Sequence, residues 1–154
     1  MHWKIHFIVL VLLTVLMGCS SQRNPASTEP ITSELIAGKA YNFLGFDQDE
    51  RVSLLGKLYF ENVGDVSISG SWEMNAWQDS IFFAPIIGGG EFTGEFIPFN
   101  SIRLNLSPQS AIEEDNTSFR ITGLSEGKLI GNWLWVKAGN VINQGRIEAI
   151  EAIE

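Results

Sequence analysis

Histidine and cysteine are nearly missing from this chain. Its 154 residues include two histidines, His2 and His6, and one cysteine, Cys19. Beyond Cys19 neither residue occurs, which excludes Ser-His-Asp and Cys-His catalysis, histidine acid–base chemistry and ordinary zinc sites from that stretch. A lone cysteine also rules out a disulfide framework within the chain. Positive charge is scarce: ten lysines and arginines face eighteen carboxylates, a formal net charge of −8. Such a chain repels phosphate backbones, and no basic cluster with interleaved aromatics offsets that, so nucleic acid is not an expected partner. The excess charge reads as a device for solubility. Long apolar runs are absent too. The run from Ile5 to Met17, interrupted by His6 and Thr14, falls short of the roughly 20 residues that a membrane-spanning helix needs.

That run fits a different role. It follows Met1-His2-Trp3-Lys4 and has the length of a secretory signal's apolar region, about 7–15 residues ending in small ones. It closes on Leu16-Met17-Gly18-Cys19. These four residues resemble the lipobox of bacterial lipoproteins, a Leu-x-Gly/Ala-Cys pattern at the end of such a signal. The resemblance implies diacylglyceryl transfer to the Cys19 thiol, cleavage after Gly18, acylation of the new amino terminus, and a membrane as partner. A single acyl chain holds only marginally at roughly 0.8 kcal/mol per buried methylene, so two or three chains on one residue anchor firmly. The stretch Ala149-Ile150-Glu151-Ala152-Ile153-Glu154 offers no second apolar span, which leaves the lipid as the expected anchor. Position 20 is serine rather than aspartate, the familiar inner-membrane retention signal, and no acidic run follows the cysteine. The resemblance therefore implies the periplasmic face of an outer membrane. Removal of residues 1–18 takes both histidines and Lys4 with it, leaving nine positive charges against eighteen negative, a formal −9.

The mature chain divides simply. Residues 19–33 comprise the lipidated cysteine and a polar stretch containing Pro25 and Pro30, the composition of a flexible tether. Residues 34–154 are enough for one compact domain with a real core. Its dominant pattern has period two. In Val66-Ser67-Ile68-Ser69-Gly70-Ser71-Trp72-Glu73-Met74 one face carries Val66, Ile68, Trp72 and Met74, the other serines and Glu73, as in a half-buried strand. Similar runs cover 52–60, 92–96, 102–106, 119–123, 129–136 and 141–150. Turn-forming residues separate them at 62–65, 88–90, 107–110, 125–127 and 138–140. The expected fold is all-β, an antiparallel up-and-down meander of about seven to nine strands, with closure into a barrel preferred over an open sandwich because it removes exposed edges. A helix is expected only between Pro30 and Lys39, with Thr32 or Ser33 as its cap.

Glycine and large apolar residues recur in a weak internal repeat. Gly70-Ser71-Trp72 leads to Gly94-Glu95-Phe96, and Gly131-Asn132-Trp133 to Gly145-Arg146-Ile147. Strand glycines permit close backbone approach, and a neighbouring aromatic can fill the space they leave, as small curved barrels require. Gly-x-Trp on a strand, followed by Thr93-Gly94-Glu95-Phe96, is similar to fragments of the avidin and lipocalin barrels. In those families the strand tryptophan lines or floors a ligand cavity, which implies that role for Trp72 and Trp133. The dense polar set of an avidin site has no counterpart here.

Trp72, Trp77, Trp133 and Trp135 are the candidate ligand-binding residues, with Trp77 and Trp135 nearest a pocket mouth, whereas Trp72 and Trp133, on apolar strand faces, read first as core. Glu73, Glu91 and Glu95 do not form a catalytic pair, because alternation places them outside. Asp47-Gln48-Asp49-Glu50 and Glu113-Glu114-Asp115-Asn116 read as a polar turn and an acidic hairpin tip without EF-hand spacing. Gly88-Gly89-Gly90 is not followed by the Lys-Ser/Thr of a phosphate loop, and no cofactor or metal is implied. Catalysis would rest on carboxylates, Tyr41, Tyr59 or lysines in no recognisable spacing, so a non-enzymatic protein is expected. Two functions compete. One is a binding module for a small apolar ligand or lipid, which requires a void over Gly56, Gly70, Gly94, Gly123 and Gly131. The other is an interaction protein with an interior filled by Trp72, Phe92, Phe96, Phe119 and Trp133, working on an envelope protein through its surface. The apolar segment 81–87, which does not alternate, reads first as a buried hairpin and otherwise as that contact surface.

Overall fold

A computed structural model of the chain describes residues 28–75, 88–106 and 115–153. Cys19, Trp77 and the apolar segment 81–87 lie outside the described residues. A single helical turn, α1 (Ser33–Ile36), precedes eight strands: β1 (Ala40–Asp47), β2 (Val52–Val63), β3 (Ser67–Asn75), β4 (Gly88–Ile97), β5 (Ser101–Leu106), β6 (Asp115–Ser125), β7 (Lys128–Lys137) and β8 (Asn140–Glu151). Each pairs antiparallel with its neighbours in sequence, and β1 closes on β8. The expected all-β meander is a closed barrel.

Four local expectations need correction. The strand β1 was not among the alternating runs, because its outward positions include Leu44, exposed, and Phe46, half-buried, which blur the polar face. The guanidinium of Arg146 covers Phe46 at 3.7 Å from the ring centre, so a cation rather than the core takes that ring. The helix expected over 30–39 is one turn, and Thr32 makes no side-chain cap. Strand pairing wins beyond it: the Gly38 amide donates to the Phe60 carbonyl at 2.9 Å, and the Phe60 amide to the Lys39 carbonyl at 2.9 Å. The last part of the expected tether is not free either. Glu29 and Leu124 exchange backbone hydrogen bonds of 2.8 and 2.9 Å, and Ile31 is buried. Finally, Val66 stands in the turn before β3 and is 69 % exposed, so Gly70 joins Ile68, Trp72 and Met74 on the inner face.

The interior is built by pairing absence with bulk. Along adjacent strands Phe43 faces Gly56, Phe92 faces Gly70, Trp72 faces Gly90 and Trp133 faces Gly145. The Phe43 ring lies 2.8 Å from where a Gly56 Cβ would stand, and the Phe92 ring 2.8 Å from that of Gly70. A Cβ on Gly70 would also meet the Tyr59 carbonyl oxygen at 1.9 Å, so the backbone itself forbids one. Tyr41, Phe60 and Phe92 continue across the core in edge-to-face contacts with centroids 5.7 and 5.4 Å apart, and Phe43 meets Phe119 at 5.2 Å. Such pairs add about 1 kcal/mol each beyond their buried area.

The eight strands leave two ends. At the end holding the 63–67, 97–101 and 125–128 hairpins, residues 28–39 cross the opening. Ile31 and Ile36 are buried there, and the Tyr41 hydroxyl donates to the Leu35 carbonyl at 3.0 Å. Burial, with the Glu151 charge nearby, pushes the Tyr41 phenol up to about 12. On the outer face of the β7–β8 seam, partial burial would raise Glu148, but Lys128 and Arg146 outweigh it and hold the carboxyl below its usual range.

Two measurements check this account. Gly70→Ala should cost about 3 kcal/mol in urea unfolding, since the added methyl meets backbone and ring atoms, whereas Gly64→Ala, with its nearest neighbour 3.6 Å from the new Cβ, should be nearly neutral. For Tyr41 the folded state favours the protonated phenol. Its contribution is intact below about pH 10, the unfolded value, and is lost as pH rises through about 12. Tyr41→Phe should lower stability by about 1 kcal/mol at neutral pH and flatten the alkaline limb of a urea-midpoint profile.

Candidate functional site

The end opposite the helical turn is built differently. Alternation along β3, β5, β6 and β7 brings Met74, Leu106, Asp115, Thr117 and Trp135 to the inner rim, all buried, while Ser53 is buried out of phase with Leu54, Gly56 and Leu58 at a bulge between β1 and β2. Asp115 is the main departure from the sequence reading, which took it for part of an exposed hairpin tip. It opens β6 and stands in phase with Thr117, Phe119 and Ile121, each buried while its neighbours face out. Phase therefore forces the carboxylate inward. Asp115 accepts a hydrogen bond from the Trp135 indole and lies 3.8 Å from the Lys137 ammonium. A buried charge paired in this way is satisfied and positions its partners.

The candidate tryptophans separate by the fate of their indole N–H. Trp133 is 1 % exposed and donates to the Phe46 carbonyl across the interior at 3.0 Å. Trp135, expected nearer a mouth, is buried and committed to Asp115. Trp72 is buried with an N–H that finds no acceptor among the described residues. A buried donor left unpaired costs about 1–3 kcal/mol.

Register shows where that donor lies. Gly90 stands opposite Trp72, and a Gly90 Cβ would be 3.2 Å from the indole nitrogen. The donor therefore sits over the start of β4, where Gly88, Gly89 and Gly90 pair with Met74, Glu73 and Trp72.

The outer wall carries no comparable chemistry. Glu73, Glu91 and Glu95 are exposed, as alternation placed them. Thr93, Glu95, Arg103, Asn105, Asn116 and Ser118 border a shallow polar groove of about 480 Å³, crossed by a Glu95–Arg103 ion pair of 3.3 Å. Asp47 accepts the Asp49 and Arg51 amides at 2.9 and 3.0 Å, and Arg51 pairs with both Asp47 and Asp49. Burial alone would raise the Asp47 carboxyl, but those amides and the Arg51 charge lower it. The cluster around Asp47 therefore closes a turn. Among the described residues no group of three or more acidic, histidine or cysteine side chains is placed to hold a metal ion.

Asp115 sets the rim, and its removal should be measurable. Asp115→Ala leaves the Trp135 donor buried without its acceptor, at an expected cost of about 1–3 kcal/mol. In a double-mutant cycle with Trp135→Phe, the two losses should be clearly non-additive. Additive losses in urea unfolding would separate the two residues.

Comparison of the chain with protein-family models, with curated proteins and with solved structures finds no match.

Proposed function

We propose that this chain is an envelope lipoprotein, anchored through acylated Cys19 on the periplasmic face of an outer membrane, whose barrel is a non-catalytic interaction module. The observation that carries the proposal is the filled interior. Phe43 and Phe92 occupy the space over Gly56 and Gly70, and Leu104 that over Gly94. Trp72, Phe92, Phe119 and Trp133 are each at most 3 % exposed, while Phe96 is packed against the same core. An interior of this kind leaves the described layers to packing, and the protein acts on an envelope component through its surface. The signal segment and lipobox supply the anchor, and the acidic balance keeps the tethered domain soluble.

A second reading rests on one specific observation, the buried Trp72 indole N–H without an acceptor, over Gly90. An eight-strand meander is also the arrangement of the avidin and lipocalin barrels, whose strand tryptophans meet a ligand at one end. On this reading a small ligand with an apolar body and one hydrogen-bond acceptor enters at the Asp115 end and takes the Trp72 N–H. Trp133 and Trp135, whose donors are already engaged, serve as walls.

Native mass spectrometry of the mature protein, extracted from its host membrane in mild detergent, tests both. The expected result is a chain starting at Cys19, with a covalent diacylglyceryl adduct and bound to another protein. An unmodified cysteine or a retained signal would overturn the anchor. A small molecule lost on denaturation, and lost again in Trp72→Phe, would transfer the function to the second reading.

A further inference from the structure

We infer that the end of the barrel closed by residues 28–39 is a membrane-docking face, which lays Phe99, Val66 and Ile153 against the lipid surface to which Cys19 holds the protein. The inference rests on the Cys19 anchor proposed above. It begins with a side chain that has no use in the fold. Phe99 is 92 % exposed and has φ +69°, and Asn100 follows at φ +54°. Left-handed backbone is costly for a bulky residue, and an exposed ring gains no core contact to offset the cost. The 98–100 turn thus holds an aromatic away from the protein at the expense of its own stability.

Its neighbours share that property. Val66, at the tip of the adjoining hairpin, is 69 % exposed, and Ile153, just past β8, is 98 % exposed. Backbone pairing places all three at one end. The Phe96 amide donates to the Val66 carbonyl at 3.0 Å, and the Ala152 amide to the Ala40 carbonyl at 2.8 Å, where β1 begins. The anchor leads to this same end. Glu29 pairs with Leu124, and the Ile31 amide donates to the carbonyl of Asn100 at 3.3 Å, beside Phe99. Eight residues lie between Cys19 and Thr28, and the fully extended stretch reaches about 30 Å. Lipid on Cys19 therefore keeps the Phe99 hairpin within that distance of the headgroups, while the Asp115 rim lies a strand's length farther off.

Charge selects the kind of surface. Glu29, Glu34, Asp65, Glu126 and Glu151 are exposed at this end, whereas Lys39 and Lys128 are engaged with Glu151 and Glu148. Anionic headgroups would be repelled. The occupant that fits is a zwitterionic lipid surface, entered by apolar tips that bury a few side chains at the headgroup boundary. Docking of this sort fixes orientation, because it turns the Asp115 rim away from the membrane.

Hydrogen exchange on the mature lipidated protein, reconstituted into phosphatidylethanolamine–phosphatidylcholine vesicles, tests the inference. Amides of 63–67 and 97–101 should exchange about fivefold more slowly than in the unlipidated Cys19→Ser protein, with the 138–139 turn unchanged. Phe99→Ser with Val66→Ser should abolish that protection while the protein still floats with the vesicles. Protection should weaken on phosphatidylglycerol-rich vesicles at low salt. Equal exchange at both hairpins in protein shown by mass to be lipidated overturns the docking but leaves the anchor standing. A Cys19 without lipid overturns both. As a separate check, Phe99→Gly should raise the urea midpoint by relieving the turn. A lower midpoint would make Phe99 a structural residue and end the argument.

Discussion

An eight-strand barrel has little interior, and every other feature of this protein follows from how that volume is shared. Large rings are needed to bury enough apolar surface, yet there is little room for two to face each other across adjacent strands, as only Phe119 and Trp133 do among the described residues. The chain resolves this by opposition: Phe43 with Gly56, Phe92 with Gly70, Trp72 with Gly90, Trp133 with Gly145. Each glycine lets the facing ring lie over bare backbone. The weak repeat of glycine two residues before a large apolar group is the trace of this rule along single strands. In β7 and β8 it becomes reciprocal, since Gly131 faces Ile147 as Trp133 faces Gly145.

The two ends depart from that rule in opposite ways. At one, the chain preceding β1 crosses the opening and supplies Ile31 and Ile36, so the core ends in apolar contact and the Tyr41–Leu35 hydrogen bond. At the other, Asp115 and Thr117 enter the inner face among Met74, Leu106 and Trp135. One polar group there is paired, the Asp115 carboxylate, and one buried donor is not, the Trp72 indole. This asymmetry is the basis on which a lipid surface is proposed for the apolar-tipped end.

Much of the fold was legible because period-two alternation is strong wherever one face is wet. The runs at 102–106 and 129–136 fall within strands β5 and β7, and that at 66–74 within β3 but for Val66, and the outward glutamates follow from the same phase. Alternation failed where the outer face is itself apolar. In β1 the sequence Tyr41-Asn42-Phe43-Leu44-Gly45-Phe46 hides its polarity because Leu44 faces solvent and Arg146 covers Phe46. The site was partly legible. Trp72 and Trp133 were singled out, but which indole finds a partner depends on contacts between residues far apart in sequence, such as Trp133 with Phe46. Asp115 was within reach of phase counting and was missed because its acidic neighbours suggested a solvated tip.

The seam between the first and last strands has a kinetic meaning. Tyr41 pairs with Glu151 and Asp47 with Gly145, so the wall closes only when residues about a hundred positions apart meet. Contacts of such separation form late, after the loop between them has lost its freedom. A chain emerging amino end first can build the β2–β3 and β3–β4 hairpins early, but β1 has no second partner until β8 is present. Until then β1 and β2 form a sheet with an open edge. The unfinished molecule thus keeps that edge unpaired until β8 arrives to cover it.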